Sequence, residues 1–178
     1  MMKKLLFALI FLSSLHFNAQ ESSHRADVLR YLTMNGTANQ YSAAIDQLFE
    51  LLGKQYQEHN ISDEVWGELK KESTPELNKI LNMLVSAYRG IYEHEDIKNM
   101  IAFYETSTGK QLLADKTALT SEQQKEASVF YNSPTGQKIL TSEQQIAHRV
   151  GEVSEIWSRD LYRNLVDKLA EKGYVMQQ

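Results

Sequence analysis

The chain has no cysteine, only two prolines and a single long apolar run. Without cysteine there is no disulfide, no thiol nucleophile and no residue on which a lipoprotein anchor could be built. Both prolines stand where a helix can begin, Pro75 after Thr74 and Pro134 after Ser133. A hydroxyl N-cap followed by proline at the first helical position loses no backbone hydrogen bond. Sustained period-two alternation of apolar residues is also missing, so strands are not expected. Basic residues number 19 against 23 acidic ones and form no block. An acidic chain without a basic patch lacks the electrostatic footprint of a nucleic-acid or anionic-membrane binder.

The apolar run is Leu5 to Leu12, preceded by Lys3 and Lys4 and followed by a polar stretch ending in Asn18-Ala19. That layout predicts a signal peptide over 1–19, too short for a stable membrane span. Cleavage after Ala19 leaves residues 20–178. It removes two of the basic residues, leaving 17 against 23 acidic and a net charge of −6. A chain of this size suits one domain with a sizeable core. The expected location is periplasmic or secreted, with no stable membrane span after cleavage.

One phrase occurs twice. Residues 103–113 read Phe-Tyr-Glu-Thr-Ser-Thr-Gly-Lys-Gln-Leu-Leu, and residues 130–140 read Phe-Tyr-Asn-Ser-Pro-Thr-Gly-Gln-Lys-Ile-Leu. In each copy the aromatic pair (Phe103-Tyr104, Phe130-Tyr131) ends one helix. Thr106 or Ser133 then caps the next, with Ser107 or Pro134 in its first position. Gly109 or Gly136 follows, where a missing side chain lets another backbone or ring approach the first turn. Leu112-Leu113 and Ile139-Leu140 are expected to turn inward. The phrase therefore predicts a helix-turn-helix corner built twice. Its alternative use, anion binding by free N–H groups at the two helix starts, competes with caps that already satisfy those donors.

The other stretches also read as helix. Apolar residues recur at spacings of three and four over roughly 38–58, 63–72, 75–92 and 142–172, and a first helix over 22–35 stops at Asn35-Gly36. Thr-Ser-Glu-Gln-Gln at 120–124 and 141–145 predicts two capping boxes, Thr120 with Gln123 and Thr141 with Gln144. The fold class is all-α: an irregular bundle of about six to eight helices in one domain, residues 20–178.

The stretch Ile97-Lys98-Asn99-Met100-Ile101-Ala102-Phe103-Tyr104-Glu105-Thr106-Ser107-Thr108-Gly109-Lys110 resembles the signature of the bacterial exported proteins called DUF2059. Leu32-Thr33-Met34-Asn35-Gly36-Thr37 is similar to that family's leucine-rich start. The resemblance covers roughly residues 25–119, with the second phrase lying beyond. It implies an all-helical exported domain and transfers no catalytic residue.

Chemistry-bearing residues are sparse in pattern. His24, His59, His94 and His148 form no helical zinc spacing. Glu93-His94-Glu95-Asp96 is the densest ligand cluster, but neighbours on a helix point about 100° apart and chelate poorly. An acidic helix start serves the dipole equally well. A cell-wall hydrolase needs two carboxylates flanking a cleft; Glu93, Glu105, Glu122 and Asp160 carry no reason to pair. No catalytic residue, metal or cofactor is implied. Tyr88, Tyr92, Trp157 and Tyr162 form a possible binding surface, because such rings combine an apolar body with a polar handle. Ordinary core packing explains the same spacing. The expectation is a non-enzymatic binding or interaction module of the cell envelope, its partner an envelope protein. The alternatives are a carrier holding an apolar small molecule such as a lipid between helices 75–92 and 142–172, and a hydrolase.

Overall fold

The computed structural model describes residues 21–175; the predicted leader at 1–19 lies outside them. A helical stretch over 21–34 (α1) is followed by α2 (Thr37–Gln55), α3 (Asp63–Glu72), α4 (Thr74–Arg89), α5 (His94–Glu105), α6 (Ser107–Ala114), α7 (Ser121–Tyr131) and α8 (Pro134–Glu171). Short 3₁₀ turns occur at Gln57–His59 and Lys116–Ala118. The described residues contain no strand.

Local chemistry explains most boundaries. Gly36, at φ +82°, joins α1 to α2 in the left-handed region that other residues avoid. Ser62 caps α3 through the Val65 N–H, 3.4 Å from its Oγ. Thr120 and Gln123 form the predicted capping box at the start of α7. Two other cap predictions fail. Thr74 lies inside α4, and the cap position falls to Ser73, whose backbone is helical and whose hydroxyl donates back to the Leu69 carbonyl at 2.8 Å. The chain thus passes from α3 into α4 with almost no break. Thr141 starts nothing, because α8 has already begun at Pro134 and no residue between interrupts it. Its hydroxyl bonds the Gln137 carbonyl one turn earlier, at 2.9 Å.

The core gathers around α4 and α8. Ile80, Leu84 and Val85 from α4 meet Trp157, Leu161, Leu165 and Leu169 from α8, all buried. Val28 and Leu32 of α1, Leu52 of α2, Leu69 of α3 and Ile97 and Met100 of α5 complete the cluster. Burying each such side chain is worth about 1.5–3 kcal/mol, so these seams hold the bundle together. The inward turn expected for both apolar residues that close each phrase is only half right. Leu112 and Ile139 pack on the core, whereas Leu113 and Leu140 are 41% and 52% exposed. Successive helical residues point about 100° apart, and in both corners the second of the pair falls on the solvent side. Among the described residues no helix is long and apolar enough to cross a membrane.

Candidate functional site

The two copies of the phrase form two corners of matching geometry. Thr106 and Ser133 are extended, at φ/ψ of −68°/163° and −70°/163°. Their hydroxyls accept from the N–H of Gly109 at 3.0 Å and of Gly136 at 3.1 Å. The caps therefore occupy donors that an anion would need. A Cβ at Gly109 would stand 2.5 Å from the Tyr104 Cα and nearer still to the Phe103 carbonyl oxygen; at Gly136 it would meet Tyr131 and Phe130 in the same way. In both corners the incoming helix end lies directly on the first turn of the outgoing helix, and only glycine fits.

The corners also dock on each other, position against matching position. Phe103 and Phe130 stack with centroids 3.9 Å apart. The hydroxyls of Tyr104 and Tyr131, 27 residues apart, approach to 3.5 Å. Across the docking plane Thr108 donates to Glu126 Oε2 at 2.5 Å, and Asn99 donates to Thr135 Oγ1 at 3.1 Å. Asn99 and Glu126 hold equivalent places before their phrases, as Thr108 and Thr135 do within them. Thr135 in turn donates a hydrogen bond to Asp96 Oδ1 at 3.2 Å, while Lys138 reaches Asp96 Oδ2 at 2.5 Å. Burial raises the Asp96 pKa, but Lys138, the Glu93 N–H and Thr135 outweigh it and hold the carboxyl below its ordinary range.

A second cluster lies where α1 crosses the α4–α5 junction. The rings of His24 and His94 stack at 5.0 Å. His94 Nε2 donates to Asp27 Oδ2 at 2.6 Å. Arg89 bonds Glu21 at 3.1 Å. Burial, then the neighbouring His94 and Arg89, push the His24 pKa down. Its Nε2 is buried without a hydrogen-bond partner, as is Arg89 Nε. Glu21, His24, Arg89 and His94 border an open cleft of about 600 Å³, completed by Glu93, Glu95 and Lys98. Sequence reasoning missed this cluster. His24 and Asp27 share one turn of α1, but His94 lies 67 residues past Asp27, and no spacing rule links them.

The other candidates separate. Tyr92 and Trp157, proposed for a surface, are each 3% exposed. Their polar handles are used inside the fold: Tyr92 Oη takes the Ser142 hydroxyl at 3.0 Å, and Trp157 Nε1 donates to the Glu76 carbonyl at 3.2 Å. Tyr88 is half-buried in a seam with Tyr31, Tyr92 and Tyr104, where burial pushes its pKa up. Tyr162 is half-buried too, its hydroxyl donating to Gln55 at 3.3 Å. The four therefore form no continuous surface, because stripe spacing marks the face a helix buries. Of the carboxylates, Glu93 and Asp96 close the capping box of α5, Glu105 pairs with Arg30, and Asp160 lies 3.9 Å from Arg159. Glu93 and Glu105 stand at opposite ends of α5, about 18 Å apart along the axis, and border different clefts. Among the described residues no three His, Cys, Asp or Glu side chains are placed to hold a metal ion.

Neither a curated protein nor a solved structure matches the chain. A family model does, the one described as an uncharacterized protein conserved in bacteria (DUF2059), over residues 78–128 and again over 116–163. Each match contains one copy of the phrase and its corner. The matched region starts well after the residue 25 suggested by the resemblance and runs on to 163. The Leu32–Thr37 stretch falls outside it; a leucine-rich helix end closed by glycine is common to many helical proteins. Over residues 78–163 this chain matches the model of the bacterial family DUF2059.

Proposed function

We propose that the protein is an exported, non-enzymatic binding or interaction module of the bacterial cell envelope, working in the periplasm or outside the cell. The leader-like start Lys3-Lys4 with Leu5 to Leu12 supports export. The observation that carries the binding role is the α1–α4–α5 cleft. There Arg89, Lys98 and two imidazoles stand beside Glu21, Glu93 and Glu95 around an open space of about 600 Å³. A mixed-charge cleft of this kind suits a polar partner surface, where complementary charge fixes orientation. Elsewhere the polar side chains of the two corners are engaged in caps and cross-links.

The apolar-carrier reading is less well supported. The seam between α4 and α8, where a lipid would lie, is filled by Ile80, Leu84, Trp157, Leu161 and Leu165, none more than 3% exposed.

Native mass spectrometry of the mature protein, purified from its own envelope fraction, tests the proposal. The expected result is a discrete partner subunit that is lost on the charge reversals Glu95→Lys and Lys98→Glu. An extractable lipid in stoichiometric amount would replace this reading with the carrier. Turnover of an envelope substrate, abolished by changing one carboxylate, would replace it with an enzyme.

A further inference from the structure

We infer that the α7–α8 arm can leave its own chain and dock on a second copy, giving a domain-exchanged dimer hinged at residues 115–120. The inference starts from the docking plane between the two corners. Phe103 faces Phe130, Tyr104 faces Tyr131, and the cross-links Thr108–Glu126 and Asn99–Thr135 run in opposite directions between matching positions. The edge contacts are reciprocal as well: Phe103 meets Tyr131 at 6.2 Å, and Tyr104 meets Phe130 at 6.4 Å. This is the arrangement of an isologous interface, in which one patch meets a rotated copy of itself. The two family matches, 78–128 and 116–163, each contain one corner and overlap across the joining segment. The fold thus contains a fused dimer, and a surface built to accept its own copy has no means of rejecting the same arm from another molecule.

The segment joining the two units is suited to serve as a hinge. Residues 115–118 and 120 are exposed, and Leu119 is half-buried. Their order comes from local bonds: Asp115 Oδ1 accepts from the Thr117 N–H at 2.8 Å and from its hydroxyl at 2.6 Å. Asp115 and Leu119 are already extended, at φ/ψ of −159°/101° and −67°/130°. Opened fully, the six residues from 115 to 120 span about 20 Å. Once exchanged, the arm remakes every contact between chains that it now makes within one. These include the core residues Trp157, Leu161 and Leu165 and the ion pairs Lys168–Glu72 and Lys172–Glu68. Only the fold-back of the hinge and protein concentration distinguish the two forms, and a hinge too short to fold back leaves the exchanged one.

The absence of native cysteine makes the test direct. Glu72→Cys and Lys168→Cys place two thiols at a surface pair that now lies 2.5 Å apart. A short bifunctional thiol reagent then joins them within one chain in the monomer and between two chains in the exchanged dimer. With the native hinge at low concentration, the expected product is a monomer by light scattering and a single-chain band on a denaturing gel. Deleting Lys116–Ala118 should double the mass in solution and shift the cross-linked band to two chains. A folded deletion variant that stays monomeric would overturn the inference. So would a dimer whose cross-links remain within one chain. If the deletion does not fold, the native-hinge protein unfolded and refolded at high concentration decides: two-chain bands support exchange, and single-chain bands alone rule it out.

Discussion

Phe103 lies flat on Phe130, with ring planes within 1° of parallel. The two residues occupy the same place in the two copies of the phrase, so the most intimate aromatic contact in the fold is one that the sequence makes with its own counterpart. Phe103 is buried and Phe130 partly so. A double-mutant cycle with Phe103→Leu and Phe130→Leu should show a coupling of about 1 kcal/mol beyond the packing lost by each change. Additive single effects in urea unfolding would show that the rings merely share a neighbourhood.

Gly109→Ala and Gly136→Ala should each destabilise the protein by about 3 kcal/mol, near the top of the overpacking range. The added methyl meets backbone, Tyr104 or Tyr131 Cα at 2.5 Å, and backbone cannot rotate out of the way. For a domain of this size that loss lowers the melting temperature by about 6–12 °C. Calorimetry on either variant checks it, and an unchanged midpoint would refute the close-approach account of both corners.

His24 gives a pH dependence whose sign is fixed. Its folded pKa lies below the ordinary 6.5 because burial, His94 and Arg89 disfavour the charged ring, although Glu93 and Asp27 act the other way. The unfolded chain therefore takes the proton first as pH falls. The stability that neutral His24 contributes is present above 6.5 and is lost as pH drops through that value toward the folded pKa. Unfolding free energies between pH 7.5 and about 5 should slope downward. The slope should flatten in His24→Gln; an equal slope in that variant would assign it to other groups.

Lys138→Met should cost about 1–2 kcal/mol at neutral pH, because it leaves the Asp96 carboxylate, 15% exposed, with neutral donors only. Asp96 is held below its ordinary 3.8, so the Lys138 contribution is present above that value and disappears as pH falls through the folded pKa. The difference between the variant and the native protein should therefore shrink below about pH 4. A difference that persists in acid would point to lost packing of the lysine stem rather than lost charge.

Helix class, the α3 boundaries and the caps at Thr106, Ser133 and Thr120 were legible in the sequence, because each depends on residues within one turn of another. The Thr141 box misled for the same reason: a local signal cannot report that a helix is already under way from Pro134. The aromatic stripe left core and binding surface both open, since periodicity says which face is special and not what covers it. The His24–His94–Asp27 cluster and the Thr108–Glu126 bond were illegible, because the fold alone brings them together across 67 and 18 residues.

The length of α8 has a mechanical consequence. Thirty-eight residues make a rod about 57 Å long. Its first turns are locked to Asp96 and Asn99, its middle carries Trp157 against α4, and its last turns are tied by Lys168 and Lys172 to α3. Such a rod joins the paired corners to α3 through one continuous helix. A load applied at the paired corners is carried along its axis to the far side of the molecule, so distant parts of the bundle answer to the same pull.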